Sequence, residues 1–230
     1  MSRGPAIRNC IEQRDAAAGE RLNVLWAFVN DVAQRFLTFN KREQRANVRR
    51  LFRQVGCPPG ARVLDYGCGT GLFATTLAEN ESQYVGYDID QRLVEYASRL
   101  YASLMFTHEK NQVVSRGPYD CVLANCCFHH IPDAQAGGEL GFIRNNLDPM
   151  GCFVMLDILA SDDDVPAPPL RHLFGLIEQG GSMRSHRDNI RLLESQFDVV
   201  RADVARTHLF SLVPSPLYNN LGVYVCRPVR

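Results

Sequence analysis

A glycine-rich segment of the sequence, with acids close by, has the composition of a ligand-binding turn. Residues 63–71, VLDYGCGTG, lead from an apolar strand pattern into three glycines, and a helical pattern follows. Glycines at such a turn let the backbone approach a ligand closely, and free amides at the start of the next helix would make the site partly positive. The segment therefore predicts a small-ligand site at a strand-to-helix turn.

The spacing of the glycines and two acids indicates which ligand fits. The dinucleotide fingerprint Gly-x-Gly-x-x-Gly requires a third glycine where this sequence has Leu72. Asp65, two residues before the first glycine, would repel a diphosphate and suits a cationic ligand that carries an ammonium group. Asp88 ends the next strand pattern, where a carboxylate can accept hydrogen bonds from two ribose hydroxyls. These features favour S-adenosylmethionine.

Four segments in chain order resemble the motifs of the class I S-adenosylmethionine-dependent methyltransferases. Residues 63–71 are similar to the first motif of that family, and residues 85–89, VGYDI, to the second. Residues 119–133 are similar to the fourth strand and its following loop, and residues 147–151 to the start of the fifth. The resemblance implies methyl transfer from S-adenosylmethionine to a small organic acceptor, on oxygen, nitrogen or carbon, with S-adenosylhomocysteine as product.

The resemblance also implies which residues bind the donor. The glycine backbone lines its methionine portion, the first acid lies near its amino group, the second acid binds the ribose, and an apolar residue packs on the adenine. The implied set is Asp65, Gly67, Cys68, Gly69, Gly71, Asp88, Ile89 and Asn125.

The loop after the fourth strand holds the candidate catalytic groups. Methyl transfer from a sulfonium is an in-line displacement, so a base is needed only where the acceptor must lose a proton. His129 or His130 could be that base because imidazole titrates near neutrality, and loop anchoring is the alternative role for either. Asp157, late in the fifth strand, is the third candidate, with a structural strand-end aspartate as its alternative.

The elements that must position these groups follow from apolar periodicity. Short strand patterns alternate with helical patterns, which predicts an α/β fold: a Rossmann-like, doubly wound, mostly parallel seven-stranded sheet with a C-terminal antiparallel strand pair and N-terminal helices. The predicted strands are 62–66, 84–87, 104–107, 119–125, 151–159, 197–210 and 221–227. The predicted helices are 22–37, 48–55, 72–79, 91–100, 134–146, 170–179 and 186–196, with an exposed loop at 107–111.

We expect one methyltransferase domain over residues 1–230. It divides into an N-terminal helical cap at 1–57, a donor-binding core at 61–159, a substrate-cap insert at 160–196 and a strand pair at 197–230. A helical cap over a donor pocket predicts a modest, enclosed acceptor. Side chains that could line that acceptor are Trp26, Phe28, Phe36, Arg171, His172, Phe174, Met183, Arg184 and His186.

Charge and cysteine usage limit the partners and the compartment. The 230 residues carry 25 Lys plus Arg and 25 Asp plus Glu, so no net field steers the chain onto nucleic acid. The N-terminal residues do not resemble an export signal, and no apolar run is long enough to cross a membrane. The 8 cysteines include no Cys-x-x-Cys pair, so we expect no metal site and a reducing, cytoplasmic setting.

Two alternatives to a small acceptor remain at this stage. Arg42, Arg45, Arg49 and Arg53 recur at helical spacing and could contact phosphates, which keeps RNA or a protein side chain open as acceptor, although nucleic acid is the less favoured partner. A non-catalytic module that only binds the donor is the second alternative. The sequence leaves the oligomeric state open.

Overall fold

One mixed sheet forms the centre of the fold. In the computed structural model, residues 41–79, 82–162, 165, 181–208 and 218–229 are described. Their strands are β1 (Arg62–Tyr66), β2 (Gln83–Tyr87), β3 (Met105–Thr107), β4 (Tyr119–Asn125), β5 (Leu147–Ile158), β6 (Phe197–His208) and β7 (Tyr218–Pro228). The seven strands are ordered β3-β2-β1-β4-β5-β7-β6, with β7 antiparallel to both neighbours and the pairs among β1 to β5 parallel. The predicted sheet and its antiparallel C-terminal pair are confirmed.

Helices cover both faces of this sheet. They are α1 (Lys41–Gln54), α2 (Ala74–Leu77), α3 (Gln91–Leu100), α4 (Lys110–Arg116), α5 (Asp133–Asn146) and α6 (His186–Glu194), with a 3₁₀ turn at Phe128–His130. Because side chains alternate along a strand, Val63 belongs to the core that includes residues of α1, α2 and α3, while Leu64 belongs to the core that includes residues of α4, α5 and α6. The sheet thus separates two apolar cores.

The strand order reverses between β1 and β4, and this reversal fixes where a ligand can bind. Crossover helices leave the two neighbouring strands toward opposite faces, so a crevice opens at their carboxyl ends. The register pairs Tyr66 with Tyr87 on one side and with Ala124 on the other. The residues that follow each of these strands therefore meet at one edge of the sheet.

Three predicted elements differ from the structure. The expected loop at 107–111 runs into helix α4, which sequence periodicity missed because only Val113 of its seven residues is buried. The helix predicted at 72–79 contains only the four residues of α2, so the contribution of its N-terminal amides to the glycine turn stays a prediction. Strand β5 starts at Leu147, which pairs with Tyr119 before an irregularity in register.

Some predictions concern residues outside the described ranges. The helices expected at 22–37 and 170–179 lie there, and so do Trp26, Phe28, Phe36, Arg171, His172 and Phe174. The division of the chain into cap, core, insert and strand pair stays a prediction. Within the described ranges, no helix has the length and apolar character to cross a membrane.

Candidate active site

The glycine turn after β1 folds back against the end of β2. The amides of Gly67 and Cys68 both donate to the carbonyl oxygen of Tyr87, at 2.7 and 2.9 Å. Gly67, Gly69 and Gly71 all have positive φ, at 75°, 53° and 77°, where a side chain would be strained. The turn is therefore fixed by backbone contacts to the neighbouring strand.

Close packing adds a second requirement for glycine at position 67. A Cβ atom placed there would lie 2.5 Å from Cys127 Cβ and 2.9 Å from Cys127 Sγ. Cys127 belongs to the loop after β4, and its thiol donates to the Tyr66 carbonyl at 3.4 Å. The donor turn and the loop after β4 are therefore in direct contact.

Asp88 lies at the end of β2 and already organises the turn. Its Oδ2 accepts from the Gly69 amide at 2.8 Å, and its Oδ1 accepts from the Asp90 amide at 2.9 Å. Burial raises the pKa of this carboxyl, and the two amides oppose that shift. Each oxygen retains a lone pair for a further donor. Beside it, the Ile89 side chain is 86% exposed, which is unusual for a large apolar residue.

Asp65 is buried beneath the same turn. It is 1% exposed, and its Oδ2 accepts a hydrogen bond from Tyr84 Oη at 3.0 Å. Burial raises its pKa to about 7, and the Tyr84 hydrogen bond acts in the opposite direction. Sequence reasoning misses Tyr84, whose position one residue after the start of a buried strand is its only signal.

Asn125 ends β4, the strand that neighbours β1. Its Oδ1 is buried and has no hydrogen-bond partner among the described residues. Asp65 and Asn125 thus place a carboxylate and an amide oxygen at the ends of adjacent strands. A pair of acceptors of this kind fits an ammonium group, so the residues present suit the amino-acid end of S-adenosylmethionine.

The two histidines of the acceptor loop lie in different surroundings. His129 is 1% exposed, and its Nδ1 lies 2.5 Å from Oδ1 of Asp157, which is equally buried. An ionised Asp157 requires a proton on Nδ1, which leaves Nε2 as the basic nitrogen of the neutral ring. His130 is exposed, and its ring centroid lies 4.0 Å from that of His129. Cys126, at the start of the loop, has φ 51°.

Burial favours the neutral form of two thiols near the site. Burial raises the pKa of Cys68 and of Cys127 well above the ordinary value. A neutral thiol is a poor nucleophile and a poor metal ligand, so thiolate chemistry is not expected here. Among the described residues, no three His, Cys, Asp or Glu side chains come together to hold a metal.

Arg184 and His186, which the sequence predicts to line an acceptor pocket, bind other parts of the fold. Arg184 is 8% exposed and donates to the backbone of the turn at Phe128–His130 and its flank. His186 Nδ1 lies 3.0 Å from Tyr224 Oη. Both side chains therefore have protein partners, whereas Met183 is 40% exposed. The acceptor lining itself stays a prediction.

The arginines of α1 also have protein partners. Arg45 Nε donates to the Leu72 carbonyl at 3.0 Å, and Arg49 forms a two-point ion pair with Glu79. Arg53 is exposed. Of the four arginines that could have contacted phosphates, Arg49 is therefore neutralised by Glu79 and Arg45 is bound to a backbone carbonyl.

Comparison with known families now adds to this geometry. A family profile described as a methyltransferase domain matches residues 36–212, which is most of the chain. The chain belongs to this methyltransferase family. Its donor, as in the family, is S-adenosylmethionine, and the resemblance carried by the four sequence motifs is confirmed.

Several solved methyltransferase-fold structures share the fold of this chain. A methyltransferase from Anabaena variabilis matches with a TM-score of 0.65 and 16% identity, over 87% of this chain and 91% of that one. Magnesium protoporphyrin IX methyltransferase from Synechocystis, with S-adenosylhomocysteine bound, matches with a TM-score of 0.59 and 18% identity, over 80% and 82%. A cyclopropane synthase from Mycobacterium tuberculosis matches with a TM-score of 0.61 and 13% identity, over 80% and 84%.

Because these structures are at most 18% identical to this chain, the likeness shows a common fold and does not extend to the acceptor. A search of curated protein sequences finds no match. The acceptor therefore has to be argued from the residues of this chain.

Proposed function

We propose that this methyltransferase acts on a small organic molecule, with the loop after β4 facing the acceptor. The observation that carries the proposal is the contact between Gly67 and Cys127, which joins the donor turn directly to the loop that holds His129 and His130. A displacement needs donor and acceptor within a few ångströms in line, so the loop that touches the donor turn is the natural acceptor side.

The donor-binding roles follow from the acceptors already described. Asp65 and Asn125 would hold the ammonium group, Asp88 the ribose hydroxyls, and Ile89 the adenine face. Gly67, Cys68, Gly69 and Gly71 would form the backbone surface beneath the methionine portion. When bound, the donor supplies a methyl group on a sulfonium, whose positive charge makes the methyl carbon electrophilic.

His130 is the group we assign to the acceptor proton, where the acceptor has one to lose. Its exposure lets a substrate reach the imidazole, a side chain that suits proton transfer near neutrality. His129 and Asp157 are buried and paired with each other through Nδ1 and Oδ1, so we assign them a positioning role. They fix the turn from which His130 projects.

A small acceptor is supported by the nature of the related enzymes and by the arginines. The solved structures with this fold include magnesium protoporphyrin IX methyltransferase and a protein from work on the conversion of a disulfide bond into a thioacetal group during echinomycin biosynthesis. Both concern small molecules. Arg45 and Arg49, the core of the RNA alternative, bind Leu72 and Glu79. Free cysteines throughout the described residues accord with a reducing, cytoplasmic setting.

Transfer of a labelled methyl group tests the acceptor class. The chain is incubated with methyl-labelled S-adenosylmethionine and a cell extract that has been separated into small-molecule, RNA and protein fractions. We expect label in the small-molecule fraction, and label confined to RNA or protein would overturn the proposal. The Asp88→Ala variant serves as the control for non-enzymatic methylation.

Two histidine variants test the assigned roles once an acceptor fraction is labelled. His130→Asn should lower turnover by about a hundredfold at neutral pH with little loss of thermal stability, as removal of a general base does. His129→Asn should lower the stability as well, because it leaves Asp157 buried without its partner. Equal turnover in His130→Asn and the unaltered chain would remove His130 from the reaction.

A further inference from the structure

The chain returns to the acceptor loop after the segment that follows β5. Leu159 and Arg184 form an isolated parallel bridge, and the Ala160 amide donates to the Arg184 carbonyl at 2.9 Å. The Ser182 amide donates to the His129 carbonyl at 3.0 Å. Residues 182–184, which we name the strap, therefore lie between the end of β5 and the 3₁₀ turn.

The Arg184 guanidinium binds the backbone on both sides of the two histidines. Nη1 donates to the carbonyl of Phe128 at 2.9 Å, and Nη2 donates to the carbonyl of Ile131 at 2.7 Å. These are the residues immediately before and after the His-His pair. The side chain thus donates hydrogen bonds to the backbone on both sides of the histidines, and the Ser182 amide donates to the carbonyl of His129 between them.

One carboxylate balances the buried charge. Nε and Nη2 of Arg184 lie 2.8 and 2.7 Å from Oδ1 of Asp133, whose side chain is 85% exposed. A guanidinium does not lose its proton in proteins, so a buried one requires partners for its N–H groups. The two backbone carbonyls and this carboxylate meet that requirement. The fork geometry is specific to arginine, since lysine offers a single point of charge.

We infer that Arg184 is a positioning residue of the acceptor site. It holds the turn at Phe128–His130 in the conformation that places His129 Nδ1 on Asp157 and directs His130 from the same turn. The assignment of this turn to the acceptor side rests on the proposed function, whereas the mechanical link between Arg184 and the His129–Asp157 pair does not.

Magnetic resonance of the His129 ring tests the link without an acceptor. The Nδ1 proton, hydrogen-bonded to Asp157 and buried, should give a far-downfield signal that exchanges slowly with water. A His129→Gln variant assigns the signal. In Arg184→Met we expect exchange of this proton to be at least about tenfold faster, because the turn opens more often. Arg184→Lys should give an intermediate rate.

Donor affinity is measured on the same samples. It should change less than about twofold in Arg184→Met, because the side-chain hydrogen bonds that Arg184 makes to described residues go to Asp133, Phe128 and Ile131 and not to the glycine turn or Asp88. The matched control is Arg191→Met, which removes an arginine from an exposed pair with Asp188 on α6. An equal effect in Arg191→Met, or an unchanged His129 signal in folded Arg184→Met, would overturn the inference.

A second variant keeps the test decisive if Arg184→Met does not fold. Asp133→Asn alters an exposed side chain and leaves the core intact, yet it removes the charge that balances Arg184. We expect faster exchange of the His129 proton in this variant, with unchanged donor affinity. An unchanged exchange rate would contradict the role of Arg184. If the unaltered chain did not bind the donor, that result would count against the proposed function and not against the link between Arg184 and His129.

Discussion

The donor side and the acceptor side of the site are built in different ways. On the donor side, the glycine turn, Asp65 and Asp88 come from two adjacent parallel strands and lie within a short stretch of sequence. On the acceptor side, the turn at Phe128–His130 depends on Asp157 and Arg184, which are far away in the chain. Apart from Asn125 at the end of β4, the donor side is therefore local in sequence, and the acceptor side is assembled by tertiary contacts.

This difference suits a family with one donor and many acceptors. A local motif keeps the donor pocket constant whatever surrounds it. Acceptor contacts carried by distant segments can change without disturbing that motif. The two sides touch where Gly67 meets Cys127, and it is there that a substitution should affect both at once.

Gly67→Ala should have the largest effect. The new Cβ meets a positive φ and also Cys127 at 2.5 Å, so we expect a loss of about 3 kcal/mol in the free energy of unfolding and weaker donor binding. Chemical denaturation measures the first and calorimetry the second.

Gly60→Ala is the matched control for this prediction. Gly60 also has a positive φ, 73°, but a Cβ added there would meet nothing within 4 Å. This variant should lose only about 1–2 kcal/mol and keep its donor affinity. If the two variants were equally stable, the contact between the two sides would be of no energetic consequence.

The same contrast explains what the sequence could predict. The parallel strands, the glycine turn and the acids beside it were predictable because they repeat a strand–turn–helix pattern within one stretch of chain. The donor-binding assignments of individual residues stay predictions. Three contacts could not be predicted: Tyr84 with Asp65, His129 with Asp157, and Arg184 with the backbone of Ile131. Each depends on which distant group the fold brings within hydrogen-bond distance.

Helix α4 is an element of the fold that the sequence did not predict. Its seven residues include two adjacent valines and present a single buried side chain, so no apolar period marks it. Packing of Val113 against the core, at 0% exposure, accounts for its position. Tertiary burial therefore decided a segment whose local preference was weak.

The next effect in size is the pH dependence of donor affinity. The pKa of Asp65 is raised to about 7 by burial in the donor-free chain, and a cationic group binds its ionised form. Affinity for S-adenosylmethionine should fall by up to about tenfold for each unit of pH below this value, because Asp65 then takes up a proton and loses its charge. Calorimetric titrations across this range measure it, and Asp65→Asn should remove this part of the dependence.

The stability of the donor-free chain should show the opposite sign. Between the ordinary carboxyl pKa of 3.8 and about 7, the folded chain holds a proton on Asp65 that the unfolded chain has lost. This group therefore makes the fold less stable as pH rises through that window. Donor affinity that is equally strong at pH 5 and pH 8 would contradict the placement of Asp65 at the ammonium group.

Arg49→Ala should have the smallest effect. Its pair with Glu79 is two-fifths exposed on both sides, and exposed ion pairs contribute little to stability. We expect nearly unchanged thermal unfolding and full methyl transfer to the small-molecule fraction. Loss of transfer with intact folding would move the acceptor site toward α1 and restore RNA as a candidate acceptor.

Titration of the donor and its product tests the central claim most directly. Calorimetry with S-adenosylmethionine and S-adenosylhomocysteine should show one site per chain, and Asp88→Ala should weaken binding by about a hundredfold, because two charge-assisted hydrogen bonds of about 1.5 kcal/mol each are lost. Asp90→Asn, which keeps an N-cap side chain on α3, is the control and should bind normally. No binding below millimolar concentration, or equal affinity in Asp88→Ala, would contradict the placement of the donor at this turn.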